Sequence, residues 1–368
     1  MTATGRAATL PSSGVGERLA GPDVVRAVAL IGVVVMNFHG YLQLRGATRG
    51  DDAVGAFFDP WTGPLSTRFA ATFVLVAGVG VTLFTRRVQA DRAALAAKRW
   101  TLVRRGLVLY GGGLLLDMVW PGTILPYYGA LFVVAAVICT WRTAWLAAVG
   151  AGAAVAGAAI AWWRLERRLD GSDTAWLSNP GPGSPRGLVL DTFVNGTHPL
   201  LPWLAFFCAG IVLGRVLHTD WWRPAAVGLG LTMFGMATAI AGAVTVGSRA
   251  PVLASSDPSS RGLVYTASAL GTALFAFGGV TWLADRFAGT APIELLRHAG
   301  AMSLTLYIGH ALVFDLVVGW LGWIRPTGLD TALVFAAGYW IVAIAGASRW
   351  HRRHGIGPAE WLYRRLGG

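Results

Sequence analysis

Stretches of about 20 mostly apolar residues recur along nearly the whole chain, and no other feature narrows its fold so far. They fall at 24–44, 65–85, 104–120, 123–141, 143–163, 199–217, 224–246, 263–284, 299–322 and 329–348. Charged residues make up 13% of the chain, against roughly 25% in soluble domains. The reading is all-α: a polytopic integral membrane helix bundle of about ten transmembrane helices. The fourth and fifth stretches are separated only by Thr140, Trp141, Arg142 and Thr143.

The net charge of +12 invites a nucleic-acid reading, but its placement excludes one. Seven basic side chains crowd residues 86–105, between two spans, and an N-terminus in the cytoplasm puts 20 of the 30 Lys and Arg in cytoplasmic segments. This is the positive-inside asymmetry, and it predicts both termini in the cytoplasm and a multi-pass protein of the cell membrane. Residues 1–20 lack the apolar run of a cleavable signal, so the first span is expected to stay as an anchor. The domain reading is a cytoplasmic tail over 1–22, one transmembrane domain over 23–348 and a cytoplasmic interfacial tail over 349–368. In that tail Pro358 suits a first helical position, and Trp361 and Leu362 beside Arg364 and Arg365 suit a helix lying in the interface. Residues 165–186, rich in Gly, Pro, Ser and Asp, read as an irregular outer loop or lid. Cys139 and Cys208 fall inside spans and offer neither a disulfide framework nor metal-ligand spacing, and no metal is expected.

Polar side chains inside the spans carry the functional signal, because each one costs free energy in hydrocarbon. The first span, DVVRAVALIGVVVMNFHGYL, opens with Asp23 and Arg26 and closes with Asn37 and His39. Arg26 and Asn37 are three helical turns apart, so they share a face at a separation of ~16 Å along the axis. That stripe fits a wet or substrate-filled interior; it equally fits an Arg26 that snorkels to the headgroups and an Asn37 bonded to a neighbouring helix. His39 falls on the opposite face and joins Asn37 only if the helix loosens near Gly40.

In GAMSLTLYIGHALVF, Ser303, Tyr307 and His310 stack on one face at i, i+4 and i+7 and suggest proton handling or ligand binding. In DTFVNGTHPLLPWLAFFCAGIVLGR, Pro199 and Pro202 place the helix start, where Asp191, Asn195 and His198 gather; ordinary capping accounts for them as well as anion binding does. The basic run 86–105 could grip the phosphates of a cytoplasmic cofactor, although positive-inside bias alone would produce it.

These motifs resemble a family. DVVRAVALIGVVVMN is similar to the LDxLRGxAxxGxxxxN opening of the bacterial YeiB-like membrane proteins, and GPAEWLYRR resembles their terminal GPLEWLxR signature. ILPYYGALF, HPLLPWLAFFCAGIVLGR and SLTLYIGHALV lie between them in the expected order. The group is similar to heparan-alpha-glucosaminide N-acetyltransferase and, more distantly, to the acyltransferase-three proteins. The resemblance implies an acyltransferase that takes acetyl-CoA or another acyl-CoA as donor on the cytoplasmic side. The acceptor would be a small molecule, carbohydrate among the options, on the outer side. By this resemblance Arg26 is the shared opening Arg, Asn37 the Asn of the heparan enzyme, and His310 the His of its SxxxYxxH-like segment. Two positions depart from the pattern: Ala27 replaces the usual Gly, and residues 40–65 hold no His where the heparan enzyme carries its catalytic one. Its task would then fall to His39, Asp51, Asp52 or Asp59.

The resulting assignment makes His39, His310 and Asn37 catalytic and puts the cofactor-binding role on Arg26, Arg104 and Arg105. Asp191, Asn195, His198, Ser303 and Tyr307 bind substrate. The implied partners are the lipid bilayer, the acceptor and a second copy of the chain. The rival class is a transporter or exporter, for which the interrupted sixth span and the intramembrane Asp117 and Asp315 speak.

Overall fold

The computed structural model describes residues 20–178, 183–244 and 254–368. The expectations for residues 1–19, and for 179–182 within the loop or lid, lie outside the described residues. Among those described, every regular element is helical. The main helices are α1 (Ala20–Leu44), α2 (Arg68–Thr85), α3 (Arg92–Asp117), α4 (Leu125–Ile138), α5 (Thr143–Leu169) and α6 (Leu200–Val216). They continue with α7 (Trp222–Ala243), α8 (Leu263–Arg286), α9 (Ala291–Ala301), α10 (Ser303–Phe314), α11 (Leu329–His354) and α12 (Pro358–Gly367).

Each of the ten apolar stretches contains a helix among its described residues (245 and 246 lie outside these), but they are not ten equal spans. Seven helices among the described residues are long and apolar enough to cross a membrane, and an eighth crossing follows if Pro185–Asn195 and α6, bent by 56°, form one span. The missing two have clear reasons. The first half of α3 carries Arg92, Lys98, Arg99, Arg104 and Arg105, and α4 has only 14 residues. The stretch 299–322 is also not one rod: α9 stops at Ala301, Met302 leaves helical geometry, α10 starts at Ser303, and Asp315–Trp320 continues as a wider π-helical turn. The expected irregular segment 165–186 contains helix among its described residues: α5 runs to Leu169, and short helices form at Ala175–Ser178 and Pro185–Leu190.

The helix α1 sits against α2, α8, α9, α10 and α11. Its buried Ala27, Leu30, Val34, Phe38 and Leu42 recur every three or four residues and form the stripe that faces the main core. Between helices in lipid there is no hydrophobic drive, so close backbone approach and dispersion must hold pairs together. The pairs α3–α4 and α7–α8 achieve this at glycines. A Cβ on Gly106 would meet Gly129 O at 2.6 Å, and one on Gly230 would meet Gly271 O at 2.6 Å.

As its composition suggests, the tail forms a helix that begins at Pro358. It docks by means of a buried carboxylate. Glu360 Oε1 accepts from the amides of Leu304 (2.7 Å) and Thr305 (3.2 Å), and Oε2 accepts from the Thr305 hydroxyl (2.5 Å). A carboxylate at a helix N-terminus satisfies orphan N–H groups and complements the dipole, which explains both the break before α10 and the position of α12. Cys139 and Cys208 are buried free thiols.

Candidate functional site

The C-terminal half of α1, from Leu30 to Leu44, builds one wall of a cavity of ≈ 500 Å³. Its other walls come from the segment 60–73, the turn 120–124, the segment 197–203 and the segment 258–265. The lining mixes aromatic faces (Tyr41, Trp61, Trp120, Tyr265) with hydroxyls (Ser66, Thr67, Ser259), and Asn37, Tyr307, His198 and Arg261 complete it. Among the described lining residues Arg261 is the single formal charge.

Asn37 Nδ2 lies 3.1 Å from His310 Nε2, and His310 Nδ1 bonds the carbonyl of Tyr307. A carbonyl only accepts, so the neutral ring carries its proton on Nδ1 and receives the Asn37 amide on Nε2. His310 is fully buried, behind Asn37 rather than on the cavity wall, with Trp120 edge-on at 5.2 Å and Phe38 at 6.0 Å. Asn37 lines the cavity, and its second amide hydrogen and its carbonyl oxygen have no hydrogen-bond partner among the described residues. The Tyr307 hydroxyl is bonded to Thr123 Oγ1 (3.0 Å) and receives the Ile124 amide (3.2 Å). Ser303 opens α10 more than one turn before Tyr307 and does not reach this cavity.

His39 is placed differently. The helix does not loosen near Gly40, so His39 stays on the far face, buried, with Nδ1 donating to Phe58 O (2.9 Å) and Nε2 accepting from Gln43 Nε2 (3.0 Å). Gln43 Oε1 in turn accepts from Trp61 Nε1 at 2.9 Å. His39 therefore braces the loop that supplies Trp61 to the cavity. Of the loop carboxylates, Asp52 caps the short helix Ala53–Phe57 through Gly55 N at 2.7 Å. Partial burial pushes the Asp59 carboxyl up, but the amides of Thr62 and Trp61 and the Thr62 hydroxyl outweigh it and hold the group below the usual carboxylate range. A carboxylate held low is a weak base at neutral pH.

The three residues expected at the start of α6 separate. Asp191 Oδ2 accepts from the Tyr127 hydroxyl at 2.9 Å. Asn195 Oδ1 accepts from Arg164 Nη1 (2.6 Å) and Arg261 Nη1 (2.9 Å). Only His198 lines the cavity. Arg261 also donates to the carbonyls of Val194, Asn195 and Gly196. These bonds hold a non-glycine residue at φ 49°, a left-handed conformation costing about 1 kcal/mol or more. Burial and, next, the charge of Arg164 push its guanidinium down to about 10. Beside it Tyr265 bonds Thr67 Oγ1 at 2.8 Å, with the buried Arg68 guanidinium 5.2 Å from its ring. Sequence reasoning missed Arg261 and Tyr265, which come from a loop and a helix start where no periodicity marks them.

At the other end of the bundle, Arg26 pairs with Asp23 at 2.9 Å and does not reach the cavity. Arg104 and Arg105 donate to Leu366 O (3.2 Å) and Gly368 O (3.0 Å), so they seat α12. Between the two ends lies Tyr128. Its buried hydroxyl has no hydrogen-bond partner among the described residues. Of the carboxylates read as intramembrane, Asp117 closes α3, whereas Asp315 lies within the candidate span Ser303–Trp320. Asp117 receives the Gly122 amide (2.7 Å), and Asp315 pairs with Arg45 (3.1 Å).

Fold and site together define a multi-pass helical membrane protein with a cavity of mixed apolar and polar lining at one end of its bundle. Residues 18–246 match the family model described as heparan-alpha-glucosaminide N-acetyltransferase, catalytic, and residues 215–367 match the one described as protein of unknown function (DUF418), the YeiB-like group. The chain belongs to the heparan-alpha-glucosaminide N-acetyltransferase catalytic family. No curated protein matches it. The family assigned from the opening and closing motifs is thereby confirmed.

Proposed function

We propose that this protein is a cell-membrane acyltransferase that moves an acetyl group from cytoplasmic acetyl-CoA to a small acceptor, a sugar hydroxyl or amine, at the outer face. The observation that carries the reading is Asn37. It stands on a cavity wall with one amide hydrogen spare, and a buried histidine fixes its orientation. A preorganised donor of this kind, in a site shielded from water, is what a developing oxyanion requires. The family membership supports the same chemistry. The volume, ≈ 500 Å³, lies within the range of small-molecule sites, and aromatic faces alternating with hydroxyls suit a carbohydrate ring.

In this reading Arg26, Arg104 and Arg105 hold the phosphates of the donor at the cytoplasmic end. Arg104 is exposed, so donors of its guanidinium remain for an anion after α12 is seated. A thioester carried past Tyr128 reaches Asn37, ~16 Å along α1 from Arg26. The acceptor oxygen or nitrogen attacks the acetyl carbon, Asn37 donates to the oxyanion, and the C–S bond breaks with its electrons on sulfur. Asp191 and Asn195 act on the acceptor indirectly, by fixing the segment that carries His198. The test is detergent-purified protein with radiolabelled acetyl-CoA and a panel of sugar acceptors. Labelled acceptor, or slow thioester hydrolysis that stops in Asn37→Ala, is expected. Absence of both from the unaltered protein overturns the reading.

A further inference from the structure

We infer that His198 is the catalytic base of this cavity, the group that takes the acceptor's proton. The assignment rests on the acyl-transfer reading and adds the group that reading lacks. A base must gain and lose a proton in each cycle, so it needs a ring nitrogen free to face the acceptor. Both ring nitrogens of His310 are engaged, by Asn37 and by the Tyr307 carbonyl. Those of His39 are engaged by Phe58 O and Gln43. Neither ring lines the cavity, and His218, His298, His351 and His354 do not line it either.

His198 differs from all of these. It lines the cavity, and no hydrogen bond engages either ring nitrogen among the described residues; Nδ1 is buried, which leaves Nε2 to face the acceptor. The ring is positioned by packing instead, edge-on to Trp203 at 4.7 Å and tilted against Tyr127 at 5.8 Å. It can change tautomer without breaking a bond that holds the fold. Its segment is immobilised from both sides. Arg261 clasps the carbonyls of 194–196, and the Thr197 amide donates to the Tyr127 hydroxyl at 2.9 Å. This supplies a histidine to the cavity where residues 40–65 contain none.

The proton inventory closes without a further reactant. The acceptor X–H forms the X–C bond as its proton passes to His198. The C–S bond breaks, and the imidazolium returns the proton to the CoA thiolate, which leaves the ring neutral. The experiment compares unaltered protein, His198→Ala and His198→Gln for transfer rate, for acetyl-CoA affinity by calorimetry, and for rescue by exogenous imidazole. The expected result is a loss of about a hundred-fold or more in both variants, unchanged acetyl-CoA affinity, and partial restoration of His198→Ala by imidazole. If either variant keeps more than a tenth of the rate, or if imidazole leaves the Ala variant unrestored, the assignment is overturned. If the unaltered protein transfers nothing, the function itself falls first, a result these outcomes do not mimic.

Discussion

Asn37 and His310, 273 residues apart in the chain, meet through a 3.1 Å contact between the amide nitrogen of one and the imidazole of the other. The contact joins the cavity end of α1 to the middle of α10. Since the Tyr307 carbonyl fixes the imidazole tautomer, the histidine sets which way the amide of Asn37 points.

If His310 acts through Asn37, the two are one unit. Asn37→Ala should lower kcat by roughly 10²–10³, the usual loss for an oxyanion donor. His310→Ala should cost nearly as much, and the double variant little more than either alone. Steady-state rates on the four proteins of the cycle check this, and additive losses would separate the two residues.

The docking of α12 rests on Glu360. Removing a charged hydrogen-bonding group from a buried helix N-terminus costs about 2 kcal/mol. Glu360→Ala should therefore lower the unfolding temperature in detergent and expose α12 to limited proteolysis, with Glu360→Gln intermediate. A variant as stable and protease-resistant as the unaltered protein would show that the carboxylate is dispensable.

A pH dependence follows from the pair His298 and His351, stacked with ring centroids 4.5 Å apart. Burial, then the charges of His351 and Arg297, push the His298 imidazole below its ordinary value; Glu294 opposes them and Arg352 reinforces them. The folded state therefore favours the neutral ring. Its contribution to stability is present above the unfolded value of about 6.5 and is lost as pH falls below it. Unfolding temperatures should fall between pH 7.5 and 5.5, and His298→Asn should flatten that part of the curve.

Much of the bundle was legible because hydropathy over about 20 residues reports burial in lipid directly. Periodicity also placed His39 correctly on the face away from Asn37, a rule the unbroken α1 obeys. The break at Met302 was not legible, since an interruption capped from elsewhere leaves the local hydropathy unchanged, and the cap, Glu360, is 58 residues away. The same reason hides Arg261. Its role is defined by four acceptors in 194–196, and nothing in SSRGLVY announces them. Asn37 and His310 were singled out separately, by helical spacing and by resemblance, and only the folded chain shows that they touch.

The claim that transfer occurs in this cavity is tested most directly by closing it. Thr197 is exposed and lines the cavity. Thr197→Cys in a background of Cys139→Ala and Cys208→Ala can be alkylated with a bulky maleimide, and acetyl transfer and acetyl-CoA binding measured before and after. The account predicts that alkylation abolishes transfer while acetyl-CoA still binds at the opposite end. Transfer at the unmodified rate by fully alkylated protein would contradict it.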